Sequence, residues 1–117
     1  MARTIEFYRT RAGKCPVEEF LDRVDSKEVQ KVLWVLRLIE RLERVPRKYF
    51  QKLTDREEIW ECRVLTHKGL YRLFAFFVAG DLLILTHGYV KQRQKTDPEE
   101  IDRAERYRRD YLSRKQG

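Results

Sequence analysis

Apolar residues recur along this chain with two periods, first close to 3.6 residues and later close to 2. The stretch from Arg3 to Tyr8 reads as a short strand, and Arg9 to Pro16 reads as a loop broken by Gly13 and Pro16. Val17, Phe20, Leu21 and Val24 then follow at helical spacing, with Pro16 near the start of the helix they predict. A second helix is predicted from Asp25. Asp25 and Glu28 have the spacing of a capping box, in which each side chain satisfies a free backbone N–H. Val29, Val32, Leu33, Leu36, Ile39 and Leu42 form its apolar stripe, widened by Val35 and Leu38, and Pro46 is expected to end it. The two helices are expected to form an antiparallel hairpin.

The period changes after Tyr49. Phe50 to Leu53, Ile59 to Leu65, Leu70 to Val78 and Leu82 to Val90 read as strands, with turns at Thr66 to Gly69 and at Ala79 to Asp81. Tight turns between successive strands predict an antiparallel meander. The last helix has the strongest start signal: Asp97 as N-cap, Pro98 at the first position and Glu100 completing a capping box. The order is β, two helices, a sheet meander, then a helix. That is an α+β fold, read as one domain spanning residues 1–117.

Charge narrows the range of partners. Lys and Arg number 26 against 19 Asp and Glu, a net +7, so a polyanion is the simplest partner: neutralising its phosphates releases counterions. Cys15 and Cys62 are the only cysteines and form no CxxC pair, so they read as small buried residues rather than a disulfide framework. With His67 and His87 they match no zinc spacing, and no metal or other cofactor is expected. The N-terminus has no apolar signal segment, and the longest apolar run, Leu73 to Gly80, is too short to cross a bilayer. A cytoplasmic protein with no membrane partner is the expectation.

Strand alternation assigns faces. Trp60, Cys62 and Val64 should pack against the helix of residues 29–42, with Glu61 and Arg63 on the opposite face. Arg72 lies in phase with Phe74 and Phe76, which read as core under the last helix; Leu83, Leu85, His87, Tyr89 and Lys91 alternate together. Glu61, Arg63, Arg72, His87, Tyr89 and Lys91 are thus expected at one end of an open sheet face. Such a set suits phosphodiester cleavage by an RNA 2′-hydroxyl. The step needs a base, cations for the phosphorane charge and an acid for the leaving oxygen. Arginine keeps its proton and binds phosphate; Glu61 or His87 is a candidate base, and His87, Tyr89 or a lysine a candidate acid. On spacing alone a histidine such as His87 is more often structural than catalytic, and Glu61 with Arg63 has the alternative of an ordinary solvated strand face. Arg72 is a charge inside the most apolar strand, a placement that costs free energy unless it is exposed or paired. Phosphate binding would explain it, and Arg72→Ala would then abolish activity with the fold intact.

The segments Phe50-Gln51-Lys52-Leu53, Ile59 to Val64, Gly69 to Phe74, His87-Gly88-Tyr89-Val90-Lys91 and Gln94 to Pro98 resemble the phage-derived Gp49-like branch of the HigB toxins, in the RelE/ParE superfamily. The resemblance implies a RelE-like sheet with a helical hairpin against it. It implies the toxin of a toxin–antitoxin pair, a ribosome-dependent endoribonuclease (an mRNA interferase) that arrests translation. It implies as partners the ribosome, mRNA and an antitoxin carrying a helix-turn-helix domain. Arg72 matches the arginine after the Gly-x-Tyr segment, Arg63 stands where a second cation is placed, and Lys91 ends the last strand as another would. Glu61 and His87 complete the expected catalytic set, and Lys52, Tyr89, Lys91, Lys95 and Arg106 are expected to contact RNA or ribosome. Glu61 departs from the lysine of RelE-like toxins, and the catalytic tyrosine expected on the final helix has two candidates, Tyr107 and Tyr111. ParE relatives share the fold and poison DNA gyrase, so a non-enzymatic inhibitor is the alternative, with an inactive nucleic-acid-binding phage protein third.

Overall fold

The computed structural model describes residues 2–54, 56, 58–91 and 97–116. Its elements are β1 (Thr4–Phe7), α1 (Pro16–Asp22), α2 (Ser26–Arg41), β2 (Phe50–Lys52), β3 (Trp60–Thr66), β4 (Gly69–Phe77), β5 (Leu82–Lys91) and α3 (Pro98–Gln116). The sheet runs β1-β5-β4-β3-β2. Strands β2 to β5 form the expected antiparallel meander, but β1 pairs parallel to β5, Thr4 opposite Leu82 through Phe7 opposite Leu85, so the sheet is mixed. No periodicity reports such long-range pairing, because alternation fixes faces and not neighbours. No described helix is long and apolar enough to cross a membrane.

One sheet face carries α1, over β5, and α2, over β3 and β1. Each of these helices meets the sheet more extensively than it meets the other. The core here joins Val17, Phe20, Val32, Val35, Leu36 and Ile39 to Cys62, Val64, Leu73 and Leu85. Gly88 permits the α1 contact: a Cβ there would meet the Phe20 ring at 2.7 Å. The other face, expected to be open, is covered in large part by α3. Ile101 and Ala104 pack on Ile59 and Phe74, and Tyr107 and Tyr111 pack around Tyr8, Phe76 and Ile84.

Both ends of α2 depart from the sequence reading. The Asp25–Glu28 capping box does not form. Asp25 pairs instead with Lys68 at 2.7 Å, and the buried Glu28 carboxylate accepts hydrogen bonds from the Thr66 and Tyr71 hydroxyls. These partners tie the start of α2 to the β3–β4 turn. At the other end the helix stops at Arg41, short of Pro46, and Leu42 is extended and exposed. Arg3 donates to the carbonyls of Ile39 (2.9 Å), Leu42 (2.7 Å) and Glu43 (3.0 Å), satisfying acceptors that a helix end leaves free.

Strand β5 carries a bulge that corrects its expected alternation. Phe74 faces His87 while Ala75 faces Leu85, which leaves Thr86 as the extra residue. Leu83 and Leu85 therefore join the α1/α2 core, whereas His87 and Tyr89 lie with Phe74 on the α3 side. Thr86 is itself buried and donates to the Phe74 carbonyl at 3.2 Å.

Candidate functional site

Strands β3, β4 and β5 bring Glu61, Arg63, Arg72 and Tyr89 together on the α3 side, next to the start of α3. Arg63 stands directly opposite Arg72 across the β3–β4 pair. Two like charges in that relation repel. Glu61, two residues before Arg63 on the same face, removes the conflict. One carboxylate oxygen pairs with Arg63 at 3.0 Å and the other pairs with Arg72. Gln51 Nε2 on the neighbouring β2 donates to the same carboxylate at 3.3 Å. Glu61 has no exposed surface and Arg72 keeps only 5% of its own. The pair is therefore a buried ion pair, stable only while both members are present.

Arg72 is held by two further residues. Its Nη1 donates to the Tyr89 hydroxyl at 2.9 Å, and its guanidinium lies 5.2 Å from the Phe74 ring centre and 5.9 Å from that of Tyr89. Tyr89 is half-buried, and its hydroxyl is also hydrogen-bonded to Asp97. Burial pushes its pKa up to about 12, against the pull of Arg72 and with a further push from Asp97. The phenol keeps its proton at neutral pH.

The outer members of the cluster are cations. The Arg63 side chain keeps a third of its surface, and Lys91 is half-buried opposite Leu70. Lys52, expected here, is exposed at the end of β2 but stands opposite Trp60 and in phase with Phe50, on the α2 side of the sheet, so the structure does not bring it to the cluster. Arg106 is exposed on α3, and Lys95 lies outside the described residues.

His87 stands apart from this group, behind Phe74. It is 1% exposed, with Nδ1 3.1 Å from Thr86 Oγ1 and Nε2 3.5 Å from a Glu100 oxygen. Burial, with Arg103 and Arg106 adding to it, lowers its pKa to about 3. A histidine with a folded-state pKa below its unfolded value of about 6.5 takes up protons more readily when unfolded. Its stability contribution is complete above that value and is lost as pH falls toward 3. Stability is therefore expected to be about 2 kcal/mol lower at pH 5 than at pH 7 from this group alone. Urea titrations of the parent and of His87→Gln at both pH values measure it. Coincident pH profiles for the two proteins would show that His87 takes no proton on unfolding.

The two helix tyrosines lie along α3, further from its start than Glu100. Tyr107 stacks on Tyr8 with ring centres 4.6 Å apart and accepts a hydrogen bond from Arg103 Nε at 3.0 Å. Tyr111 packs edge-on against Phe76, with ring centres 5.5 Å apart. Three participants escaped the sequence reading. Gln51 and Asp97 bind the cluster, and Glu100 approaches His87. Asp97 and Glu100 carried a signal, but only for helix capping. Gln51 carried none, since its role depends on the β2–β3 register, which sets it opposite Glu61.

In chemical terms the site offers a fixed carboxylate holding two guanidinium groups, a protonated phenol and a lysine. It suits binding of a phosphate or another oxyanion at Arg63. No curated protein gives a match to the chain. Residues 19–109, running from within α1 well into α3, match the family described as phage-derived protein Gp49-like (DUF891). With most of the chain inside that match, the protein belongs to the Gp49-like family of phage-derived proteins, a RelE/toxin-like family.

Proposed function

We propose that the protein is the toxin of a toxin–antitoxin pair and cuts mRNA on the translating ribosome as a metal-independent endoribonuclease of the HigB type. The observation that carries this reading is the Glu61-centred cluster, which holds Arg63 and Arg72 side by side, with Tyr89 on Arg72, on a chain of net charge +7. In this reading Arg63 and Lys91 contact the scissile phosphate, and Arg72 acts from beneath, fixing the Tyr89 hydroxyl. Tyr89, protonated at neutral pH, exchanges its hydrogen bond to Asp97 for one to the phosphate or the leaving 5′-oxygen, and the 2′-hydroxyl proton passes to solvent. Glu61 is the counter-ion that sets both arginines. His87, neutral and enclosed, is given no proton-transfer role. Arg106 on α3 contacts RNA or ribosome near this centre, Lys52 does so from the α2 side of the sheet, and Lys95 is a further RNA or ribosome contact. Guanidinium and ammonium groups supply the positive charge that the phosphorane needs.

A second reading, a non-enzymatic inhibitor such as a gyrase poison, is favoured by one observation. Both Glu61 oxygens are occupied by arginines and His87 is shut in, so neither base candidate named from the sequence is free. Induced expression separates the two. Ribosome-dependent cleavage predicts arrested translation with new mRNA 5′ ends, suppressed by a co-expressed antitoxin, here expected to be a helix-turn-helix protein that masks the basic face. Intact mRNA with a DNA-damage response would move the second reading ahead. No growth defect at all would leave an inactive nucleic-acid-binding protein.

A further inference from the structure

The acidic residues of α3 are largely turned to internal use. Asp102 and Glu105 both bind Arg56, and Glu100 approaches His87 and Arg103. Asp110 accepts from the Tyr8 hydroxyl and pairs with Arg11 at 3.1 Å and Arg114 at 2.8 Å. Exposed Arg106 and Arg109, three apart on the outer side of the helix, have no ion pair among the described residues. The helix begins beside Tyr89 and ends, roughly 25 Å away at 1.5 Å per residue, against the edge strand β1.

At that far end lies a cleft of about 360 Å³ lined by Phe7, Arg9, Tyr111, Arg114 and Lys115. The volume is in the range that takes a small organic ligand. Its composition is specific: two half-buried aromatic rings and three cations. Arg114 is fixed, donating to the Arg9 carbonyl and pairing with Asp110, with its guanidinium 5.5 Å from the Tyr8 ring centre. Lys115 Nζ lies 5.6 Å from the Tyr111 ring centre, and the Arg9 side chain pairs, among the described residues, with the exposed Glu18 alone. All five lining residues fall outside residues 19–109, so the family match assigns them nothing.

We propose that this cleft binds one nucleotide of single-stranded RNA, its base against the Tyr111 ring and its phosphate on Arg9 and Lys115. The α3 arginines then guide the strand toward the Glu61 cluster. Aromatic faces with flanking cations are the usual means of holding unpaired bases, each stack contributing about 1–3 kcal/mol. The inference rests on the reading above only in taking RNA as the polyanion. It requires neither cleavage nor a ribosome.

The test is anisotropy titration of a fluorescent uridine decamer with the full chain, without ribosomes, over a range of salt. Arg9→Glu with Lys115→Glu reverses two exposed charges and is expected to weaken binding tenfold or more. The slope of log affinity against log salt should fall by about 0.7, the loss of one neutralised phosphate on a single strand. Lys27→Glu, an equally exposed reversal on α2, serves as control and should change affinity less than twofold. Tyr111→Leu, checked for folding by circular dichroism, should weaken the uridine decamer and spare a decamer lacking bases. The inference is overturned if the parent does not bind the decamer, if the double reversal matches Lys27→Glu, or if the baseless decamer binds as tightly as the uridine one. Decamer binding of the expected pattern in a protein that cuts no mRNA would uphold this site and remove the ribonuclease reading. Cleavage with decamer affinity insensitive to the reversals would do the opposite.

Discussion

Replacing Arg72 by alanine is expected to destabilise the protein by about 3–5 kcal/mol, because it strands the Glu61 carboxylate in the interior. A domain of this size has about 5–15 kcal/mol in hand, so much of the chain would unfold under mild conditions. The sequence reading expected the reverse, a folded and merely disarmed variant, on the view that Arg72 projects from an open sheet face. The structure corrects that view. Arg72 is 5% exposed, Glu61 beneath it has no exposed surface, and the pairing, not phosphate, accounts for a charge in so apolar a strand. The measurement is the urea midpoint of parent, Arg72→Ala and the double variant Glu61→Met with Arg72→Met. The double variant should recover most of the loss, since apolar replacement of a whole buried pair is often neutral or better. A parental midpoint for Arg72→Ala would show that Glu61 is not held by Arg72. A double variant no more stable than the single would assign the loss to packing around Phe74 and Tyr89.

The pattern of apolar positions located every strand and helix, because burial on one or two faces is written into local periodicity. It placed Trp60, Cys62 and Val64 against α2 and Phe74 and Phe76 under α3, as observed. It failed where a residue's partner lies far along the chain. The bulge at Thr86 inverts alternation midway through β5, and nothing in Leu-Leu-Ile-Leu-Thr-His announces it. The placement of His87 and Tyr89 on the sheet face of Arg72 was reached by an alternation that also put Leu83 and Leu85 there, and the bulge separates the two sets; of the pair, it is Tyr89 that meets Arg72 among the described residues. Asp25 and Glu28 have the right spacing for a capping box, yet Thr66 and Tyr71 take up the Glu28 carboxylate that would complete it, and Lys68 pairs with Asp25. The site residues were nameable as charges on one face. Their roles were not, because the distinction between Arg63 and Arg72 is one of depth under α3.

That depth sets the order of effects on activity. The sequence reading ranks Arg72 first, with Arg63 similar or milder and Lys95 milder still. Accessibility moves Arg63 to the front: it spends one Nη on Glu61 at 3.0 Å and keeps a third of its side-chain surface, so its other donors are open to phosphate. Arg63→Ala is expected to lower the rate of mRNA cleavage by roughly a few hundredfold, the about 3–4 kcal/mol typical of losing one preorganised donor on the transition state. Its stability cost should be much smaller than that of Arg72→Ala, since Glu61 retains Arg72 and Gln51. Arg63→Lys keeps the charge and loses the fork, and should recover part of the rate. Lys91→Ala should be milder than Arg63→Ala, a point charge at the rim of the site. Rates of appearance of new mRNA 5′ ends on active ribosomes measure these effects, with urea midpoints as the folding control. A folded Arg63→Ala protein that cuts at the parental rate would remove Arg63 from the reaction. If Lys91→Ala or Lys95→Ala then proved the stronger lesion, the phosphate would sit at the end of β5, away from the Glu61 cluster.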